Sequence, residues 1–188
     1  RQTPDHQIFC ATAREEIGFG PRNLGLDPEA VRARVEEALE IFALTPYADT
    51  PPAVLGYGLR RKVSIAAVYA MRPEILILDE PSIGLDWRST QELMALVDEL
   101  HAQGHTIILV SHDMRLAAEY TQQTLVMHEG GVLAYGPTEK VLSQTEQLER
   151  AQIAPPQITR LAQSLSHLGL DGQTLSVAGG SSRRIMNE

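Results

Sequence analysis

The stretch Glu74-Ile75-Leu76-Ile77-Leu78-Asp79-Glu80-Pro81 decides the fold of this chain. Four consecutive large apolar residues between Pro73 and Pro81 predict a short β-strand buried on both faces, as in a parallel sheet covered by helices. Asp79 and Glu80 follow at the carboxyl end of that strand. Ligands bind at this edge of open α/β sheets, so the two carboxylates are candidate site residues. The alternative is that they only end the strand in solvent.

A second apolar strand is predicted downstream, over His105-Thr106-Ile107-Ile108-Leu109-Val110. Between the two strands, residues 89–103 predict a helix with its apolar residues inward, and Gly104 ends it. The second strand is followed directly by Ser111-His112-Asp113. The sequence therefore predicts strand, helix and strand, with polar side chains at the carboxyl end of each strand.

These motifs, in this order, resemble those of the ATP-binding subunits of ABC transporters. Residues 75–80 are similar to the Walker B strand, residues 82–86 to the D-loop, and His112 to the switch histidine. The resemblance implies an α/β fold, namely a P-loop NTPase-like ABC ATPase core in which helices flank a parallel sheet, with part of the helical subdomain. It also implies ATP and Mg²⁺ as cofactors and MgATP hydrolysis as the reaction.

The resemblance gives each of these polar residues an expected role. Asp79 would hold Mg²⁺, which prefers oxygen ligands and keeps several waters. Glu80 would polarise the attacking water as a general base, and His112 would contact the γ-phosphate and help order that water. Ser82 and Asp86, in the D-loop, are expected at the nucleotide.

Residues 1–26 are predicted to be loop-like. Two stretches, Gln2-x-Pro4-Asp5-x-Gln7-Ile8-Phe9 and Phe19-Gly20-Pro21-x-Asn23-Leu24-Gly25, resemble the Q-loop region of energy-coupling factor (ECF) transporters and their cobalt and nickel relatives. Gln2 would then contact the Mg²⁺ ion and the attacking water, and the residues after it would face a transmembrane subunit. From the residues alone, the preferred interpretation of the first stretch, with its Gln, Pro, Asp and Gln, is a polar turn.

Leu55-Gly56-Tyr57-Gly58-Leu59 occupies the position of the family's signature motif, Leu-Ser-Gly-Gly-Gln. A glycine-containing turn before a helix offers free backbone N–H groups to a phosphate, so Gly56, Tyr57 and Gly58 are expected at the nucleotide. Gly56 replaces the family's serine, Tyr57 its first glycine and Leu59 its glutamine. In the family the signature completes the ATP site of the opposite ATPase domain. We expect these changes to weaken that shared site, and they predict an asymmetric pair of ATPase domains with one poor and one good site.

The remaining pattern predicts the domain organisation. Asp27-Pro28 begins a helix, and Glu129-Gly130-Gly131 lies at the turn of a β-hairpin. We expect a partial ABC ATPase domain over residues 1–145, with its helical subdomain over about 10–60, a helical extension over 146–175 and a disordered tail over 176–188. The extension is either a dimer contact or packs back on the core.

Composition limits the partners. The net charge of −8 argues against a broad nucleic-acid-binding surface, and we interpret the basic run Arg60-Arg61-Lys62 as a solvated helix face. The single cysteine, Cys10, cannot form an internal disulfide, which fits a reducing cytosol. No run approaches the roughly 18 apolar residues of a membrane span. The resemblance implies a peripheral protein on the cytoplasmic face of a membrane, bound to a transmembrane subunit and to a second ABC ATPase domain in a homo-, hetero- or tandem dimer.

The sequence contains no Walker A motif. Residues 131–138 fit its spacing, but Pro137 stands where the lysine is needed. In the family this motif precedes the Q-loop, so we expect the chain to be a piece of a longer protein that lacks the start of the domain, and to be inactive by itself.

The predicted function is ATP hydrolysis that drives import of a micronutrient, a vitamin or a transition-metal ion, in an ECF-type transporter. Two alternatives remain open. One is the ATPase of another ABC importer or a soluble ABC protein. The other is a non-catalytic ABC partner domain with a degenerate signature.

Overall fold

The computed structural model describes residues 8–154, and the chain divides into two compact units, residues 1–110 and residues 111–188. The helices and strands of the first unit are α1 (Ala13–Asn23), α2 (Pro28–Ile41), α3 (Tyr57–Tyr69), β1 (Ile75–Asp79), α4 (Trp87–Ala102) and β2 (Thr106–Val110). Short 3-10 turns at Thr45–Tyr47 and Pro52–Val54 lie between α2 and α3.

Helix α1 shows that the prediction of a loop-like segment up to residue 26 was wrong. Two glycines of this segment, Gly18 and Gly20, lie where α1 contacts α2 and α3. A Cβ atom on Gly18 would lie 3.2 Å from Val35 Cγ2 of α2, and one on Gly20 would lie 2.6 Å from Met71 Sδ. Glycine is therefore used here for close helix packing, and its helix-weakening effect is offset by tertiary contacts.

Helix α2 has the predicted start and the predicted buried face. The carboxylate of Asp27 accepts the backbone N–H groups of Glu29 and Ala30, both at 3.0 Å. The apolar residues spaced for one helix face are buried, together with the phenylalanine that follows the helix: Val31, Val35, Ala38, Leu39 and Phe42.

Strands β1 and β2 form the predicted parallel pair, in a register that runs from Ile75 opposite Thr106 to Asp79 opposite Val110. The prediction that β1 is buried on both faces was wrong. Leu76 and Leu78 are 2% and 8% exposed, whereas Ile75 and Ile77 are 52% and 65% exposed. Successive strand residues point to opposite sides of a sheet, so the described residues cover only the side that holds the two leucines.

Helix α4 connects the two strands and contacts β2. It begins two residues earlier than predicted because Asp86 supplies its N-cap. Gly104 follows it at a φ of +101°, a conformation that favours glycine at a helix end. The predicted inward residues are buried, as are two others on the same helix: Thr90, Leu93, Met94, Leu96, Val97 and Leu100.

The second unit contains α5 (Met114–Tyr120), β3 (Gln123–His128), β4 (Gly131–Pro137), α6 (Thr138–Leu142) and α7 (Thr145–Arg150). Strands β3 and β4 form the predicted antiparallel hairpin, and Glu129 and Gly130 at its turn both have positive φ, as a type I′ turn requires. A small buried core joins one residue of β3 to the last two helices: Val126, Val141, Leu142 and Leu148.

Several predictions fall outside the described residues. Gln2 lies there, and so do the predicted helical extension from residue 155 onward and the tail over residues 176–188. Across residues 8–154, no helix combines the length and the apolar composition needed to cross a membrane.

Candidate active site

The carboxylates predicted from the strand end lie at the carboxyl edge of the parallel pair. Asp79 is the last residue of β1 and is exposed, and Glu80, the next residue, is half-buried. The backbone N–H of Glu80 donates to the carbonyl of Val110 at 2.8 Å, so the pairing with β2 extends one residue beyond β1. Both carboxylates therefore leave the sheet from a backbone that is fixed by β2.

Glu80 has an unusual backbone conformation. Its φ is +44°, in the left-handed region that residues with a Cβ atom seldom adopt. Pro81 follows it, and a residue before proline is biased toward extended conformations. Strain of this kind, of order 1–3 kcal/mol, persists only where surrounding contacts hold it, and it is concentrated at functional sites.

The side chain of Arg61, on α3, provides part of that support. Its Nη2 donates to the carbonyl of Glu80 at 2.5 Å and its Nε to the carbonyl of Pro81 at 3.2 Å. Arg61 is half-buried, and the neighbouring Lys62 pairs with Glu92 at 3.6 Å. The interpretation of this basic run as a solvated helix face was therefore wrong, and sequence reasoning missed Arg61 as a site residue.

Residues 82–86, the stretch similar to a D-loop, lie between Glu80 and the start of α4. Its glycine, Gly84, has a φ of +78°. The Asp86 carboxylate accepts the backbone N–H of Ser89 at 2.7 Å, and this bond lowers the pKa of Asp86. The structure gives Asp86 a helix-capping role, and its expected place at the nucleotide stays a prediction, as does that of Ser82.

The signature-like residues form the first turn of α3. Gly56 is the N-cap in an extended conformation, and a Cβ atom there would meet nothing within 4 Å. The ring of Tyr57 covers Gly84, where a Cβ atom would lie 2.9 Å from Tyr57 Cε1. A Cβ atom on Gly58 would be 3.5 Å from Ser89 Oγ. The structure therefore brings Tyr57 and Gly58 against residues 84–89, a contact that the sequence did not reveal.

His112 belongs to the second unit, where it lies exposed between β2 and α5. The backbone N–H of Asp113 donates to Ser111 Oγ at 3.0 Å, and the Asp113 carboxylate caps α5 by accepting the N–H of Arg115 at 2.9 Å. The Arg115 guanidinium also binds this carboxylate and lowers the pKa of Asp113. The residues on both sides of His112 are thus fixed, and its expected role stays a prediction.

The residues after the Q-loop-like segment are organised by Glu16, which sequence reasoning did not select. Its carboxylate, on a residue only 6% exposed, accepts the backbone N–H groups of Phe9 and Cys10 at 3.1 and 2.9 Å. Burial, followed by the hydrogen bond to Glu16, raises the pKa of Cys10 to about 11. The sequence signal for the start of α1 is Thr12 followed three residues later by Glu15, which is a capping-box pattern.

Two exposed aromatic rings mark the same end of the first unit. The Phe9 and Phe19 rings meet edge to face with centroids 4.7 Å apart, and these residues are 65% and 40% exposed. Single exposed apolar residues are ordinary, but two exposed rings in contact form a small apolar patch, which is a candidate interaction surface.

The donor chemistry of the sheet edge fits Mg²⁺. Asp79 and Glu80 offer carboxylate oxygens, and Mg²⁺ is usually bound by one or two carboxylates together with waters and substrate phosphates. Within residues 8–154, three or more His, Cys, Asp or Glu side chains do not gather into a metal-binding group.

Comparison with known proteins places these features in context. Residues 2–83 match the family model described as ABC transporter. The energy-coupling factor transporter ATP-binding protein EcfA of Methanocaldococcus jannaschii is 38% identical over 165 residues, which cover 88% of this chain and 59% of that protein. The cobalt import ATP-binding protein CbiO of Rhodobacter capsulatus is 42% identical over 163 residues, covering 87% and 58%.

A solved structure is also similar. It is that of cbiO1 from Clostridium perfringens, described as part of the ABC transporter complex cbiONQ, with a TM-score of 0.71 and 34% identity. The match covers 86% of this chain and 64% of that one. The chain spans less than two thirds of the length of each of these relatives.

Proposed function

Because the chain belongs to the family of ABC transporter ATP-binding proteins, we propose that it is the ATP-hydrolysing subunit of an ECF-type importer of a micronutrient, a vitamin or a transition-metal ion. The observation that carries this proposal is the carboxylate pair Asp79 and Glu80 at the carboxyl edge of the parallel strands. The names of relatives at about 40% identity support the ECF and cobalt branch of the family.

In this proposal each residue of the edge has one task. Asp79, with Gln2, holds Mg²⁺ through oxygen atoms, and Mg²⁺ when bound neutralises charge on the phosphates of ATP. Glu80 orients the attacking water and takes up its proton at a carboxylate oxygen. His112 holds the γ-phosphate by a hydrogen bond. Such positioning, rather than covalent chemistry, accounts for most of the catalysis of phosphoryl transfer.

The partners follow from the same family. A second ABC ATPase domain, in a homo-, hetero- or tandem dimer, would complete the nucleotide site, with Gly56, Tyr57, Gly58, Ser82 and Asp86 near the nucleotides. We propose that a transmembrane subunit binds at the exposed pair Phe9 and Phe19, and that the chain lies on the cytoplasmic face of the membrane. We propose no nucleic-acid partner, given the net charge of −8.

The altered signature favours a pair of unequal ATP sites. The site completed by this chain's Gly56 and Tyr57 lacks the serine hydroxyl of the family motif, and the ring of Tyr57 lies over Gly84. We propose that this site is the weaker one. The same observation favours the second candidate function, a non-catalytic partner domain.

The test is the ATPase activity of the full-length protein with its native partners. Wild type is compared with Glu80→Gln and, separately, with the restored signature Gly56→Ser/Tyr57→Gly/Leu59→Gln. Removing the general base should reduce kcat by about 10²–10⁴-fold, while the restored signature should raise or preserve it. If Glu80→Gln leaves kcat unchanged, the active carboxylate belongs to the partner and this chain is the non-catalytic half.

A further inference from the structure

One face of helix α3 is tied to the segment that contains the candidate general base. Tyr57 and Arg61 are four residues apart, so they lie on the same side of the helix. The ring of Tyr57 covers Gly84, and Arg61 donates to the carbonyls of Glu80 and Pro81. Both contacts fall within residues 80–84. We propose that Arg61 is a positioning residue for Glu80, an inference that rests on the function proposed above.

The first step of the argument is the backbone of Glu80. Its φ of +44° precedes Pro81, and both features oppose the conformation observed. Three hydrogen bonds act against this strain, one on the N–H of Glu80 and two on its carbonyl. The N–H of Glu80 is held by Val110 at 2.8 Å, and its carbonyl is held by Arg61 at 2.5 Å. The carbonyl also accepts the N–H of Ile83 at 3.3 Å, so without Arg61 it would keep only this longer bond.

The second step is geometric. A carboxylate that serves as a general base must lie within hydrogen-bonding reach of the proton it accepts, and its direction follows from the backbone that bears it. Relaxation of the φ of Glu80 from +44° would swing its carbonyl and its Cβ together about the N–Cα bond, and so would turn the carboxylate away from its present direction. A misplacement of about 1 Å can cost roughly 10²-fold in rate.

The third step concerns the choice of side chain. The planar guanidinium offers several N–H donors in a fixed fork, which suits the carbonyls of two consecutive residues. A lysine at position 61 would present a single flexible ammonium and could satisfy one carbonyl well. Because Arg61 stands one turn from Gly56 and Tyr57, the anchor of Glu80 also belongs to the helix that begins with the signature residues.

The experiment measures kcat and KM for ATP with the full-length protein and its native partners. Arg61→Met should lower kcat by about 10–100-fold with KM changed less than about twofold, since the substituted residue acts on the base. Arg61→Lys should recover part of the loss. The matched control is Arg34→Met, because Arg34 also donates to two carbonyls of the chain after α3, those of Ala70 and Met71, both at 3.4 Å. It should leave kcat unchanged.

The decisive measurement repeats Arg61→Met in a Glu80→Gln background. If Arg61 acts through Glu80, it should cost nothing further there, as expected for residues that work as a unit. An equal loss in both backgrounds, or a rise in KM at unchanged kcat, would overturn the proposal. Should Arg61→Met not fold, Arg61→Lys in the two backgrounds gives the same comparison.

The two proposals fail in different ways. If Glu80→Gln itself has no effect on kcat, the proposed function is wrong. If Glu80→Gln abolishes turnover while Arg61→Met retains wild-type kcat, the function stands and the positioning role of Arg61 is wrong.

Discussion

Replacing Gly84 by alanine tests the packing of the signature-like turn on the segment after β1. The substitution adds one methyl group at a φ of +78°, 2.9 Å from the ring of Tyr57. It therefore has two separate costs: the left-handed backbone, which alanine adopts at roughly 1–2 kcal/mol, and the steric conflict. Overpacking costs typically 1–3 kcal/mol. Since Tyr57 is half-buried and its ring can shift outward, we expect about 1 kcal/mol from the conflict.

The total loss of unfolding free energy should therefore be about 2–3 kcal/mol. The chain offers a matched control in Gly25, which has the same φ of +78° but no atom within 4 Å of the added Cβ. Gly25→Ala should lose only the backbone part, about 1–2 kcal/mol. The assay is urea denaturation of the full-length protein followed by circular dichroism, with the midpoint compared at constant m-value.

A double-mutant cycle isolates the contact itself. In a Tyr57→Ala background the ring is absent, so Gly84→Ala should cost no more than Gly25→Ala does. The coupling energy between positions 57 and 84 should be about 1 kcal/mol, above the roughly 0.5 kcal/mol scatter of independent sites. Equal losses for Gly84→Ala and Gly25→Ala, or a coupling energy near zero, would refute the packing of Tyr57 on Gly84.

Three other substitutions test the remaining contacts. Glu16→Gln should lower the pKa of Cys10 from about 11 toward its ordinary 9.0, and so speed alkylation of the thiol at pH 9. In wild type, the raised pKa of Cys10 means that the free energy of unfolding falls as the pH rises from 9.0 to about 11. Gly56→Ser should add an N-cap to α3 and raise the free energy of unfolding by a few tenths of a kcal/mol in thermal denaturation. Arg115→Gln should raise the pKa of Asp113, which an NMR titration measures. In wild type, Asp113 stabilises the fold above its ordinary pKa, and this stability is lost as the pH falls through the lowered pKa. The variant should have less of this stability.

The elements that the sequence predicted well are those specified by local signals. Helix α2 has a capping aspartate, a proline in its first turn and a regular apolar face, and all of these act within a few residues. The hairpin depends on two turn residues that tolerate positive φ. Helix α1 was missed because Gly18 and Gly20 are loop signals locally, while their use depends on Val35 and Met71, which are distant in sequence.

The candidate site divides in the same way. The position of Asp79 and Glu80 at a strand end was predicted because a strand and its carboxyl edge can be located from an apolar run, and their role at a nucleotide stays a prediction. The contact of Arg61 with the backbone of Glu80 and Pro81 was missed because nothing in Arg60-Arg61-Lys62 indicates which side chain reaches a segment about twenty residues further along the chain. Helical spacing places Tyr57 and Arg61 on one side, but only the folded structure identifies residues 80–84 as their common neighbour.

The exposed face of β1 shows a different limit of sequence patterns. An unbroken run of large aliphatic residues is typical of a strand with apolar surroundings on both sides, and Ile75 and Ile77 satisfy that pattern as well as Leu76 and Leu78 do. Of these four residues of β1, only the two leucines are buried, and on β2 Ile108 and Val110 are 44% and 48% exposed. The apolar run therefore predicts that Ile75 and Ile77 are buried, whereas residues 8–110 leave both exposed. Substituting serine should consequently be costly at Leu78 and nearly neutral at Ile77 in this unit, because the loss scales with the apolar surface removed from water.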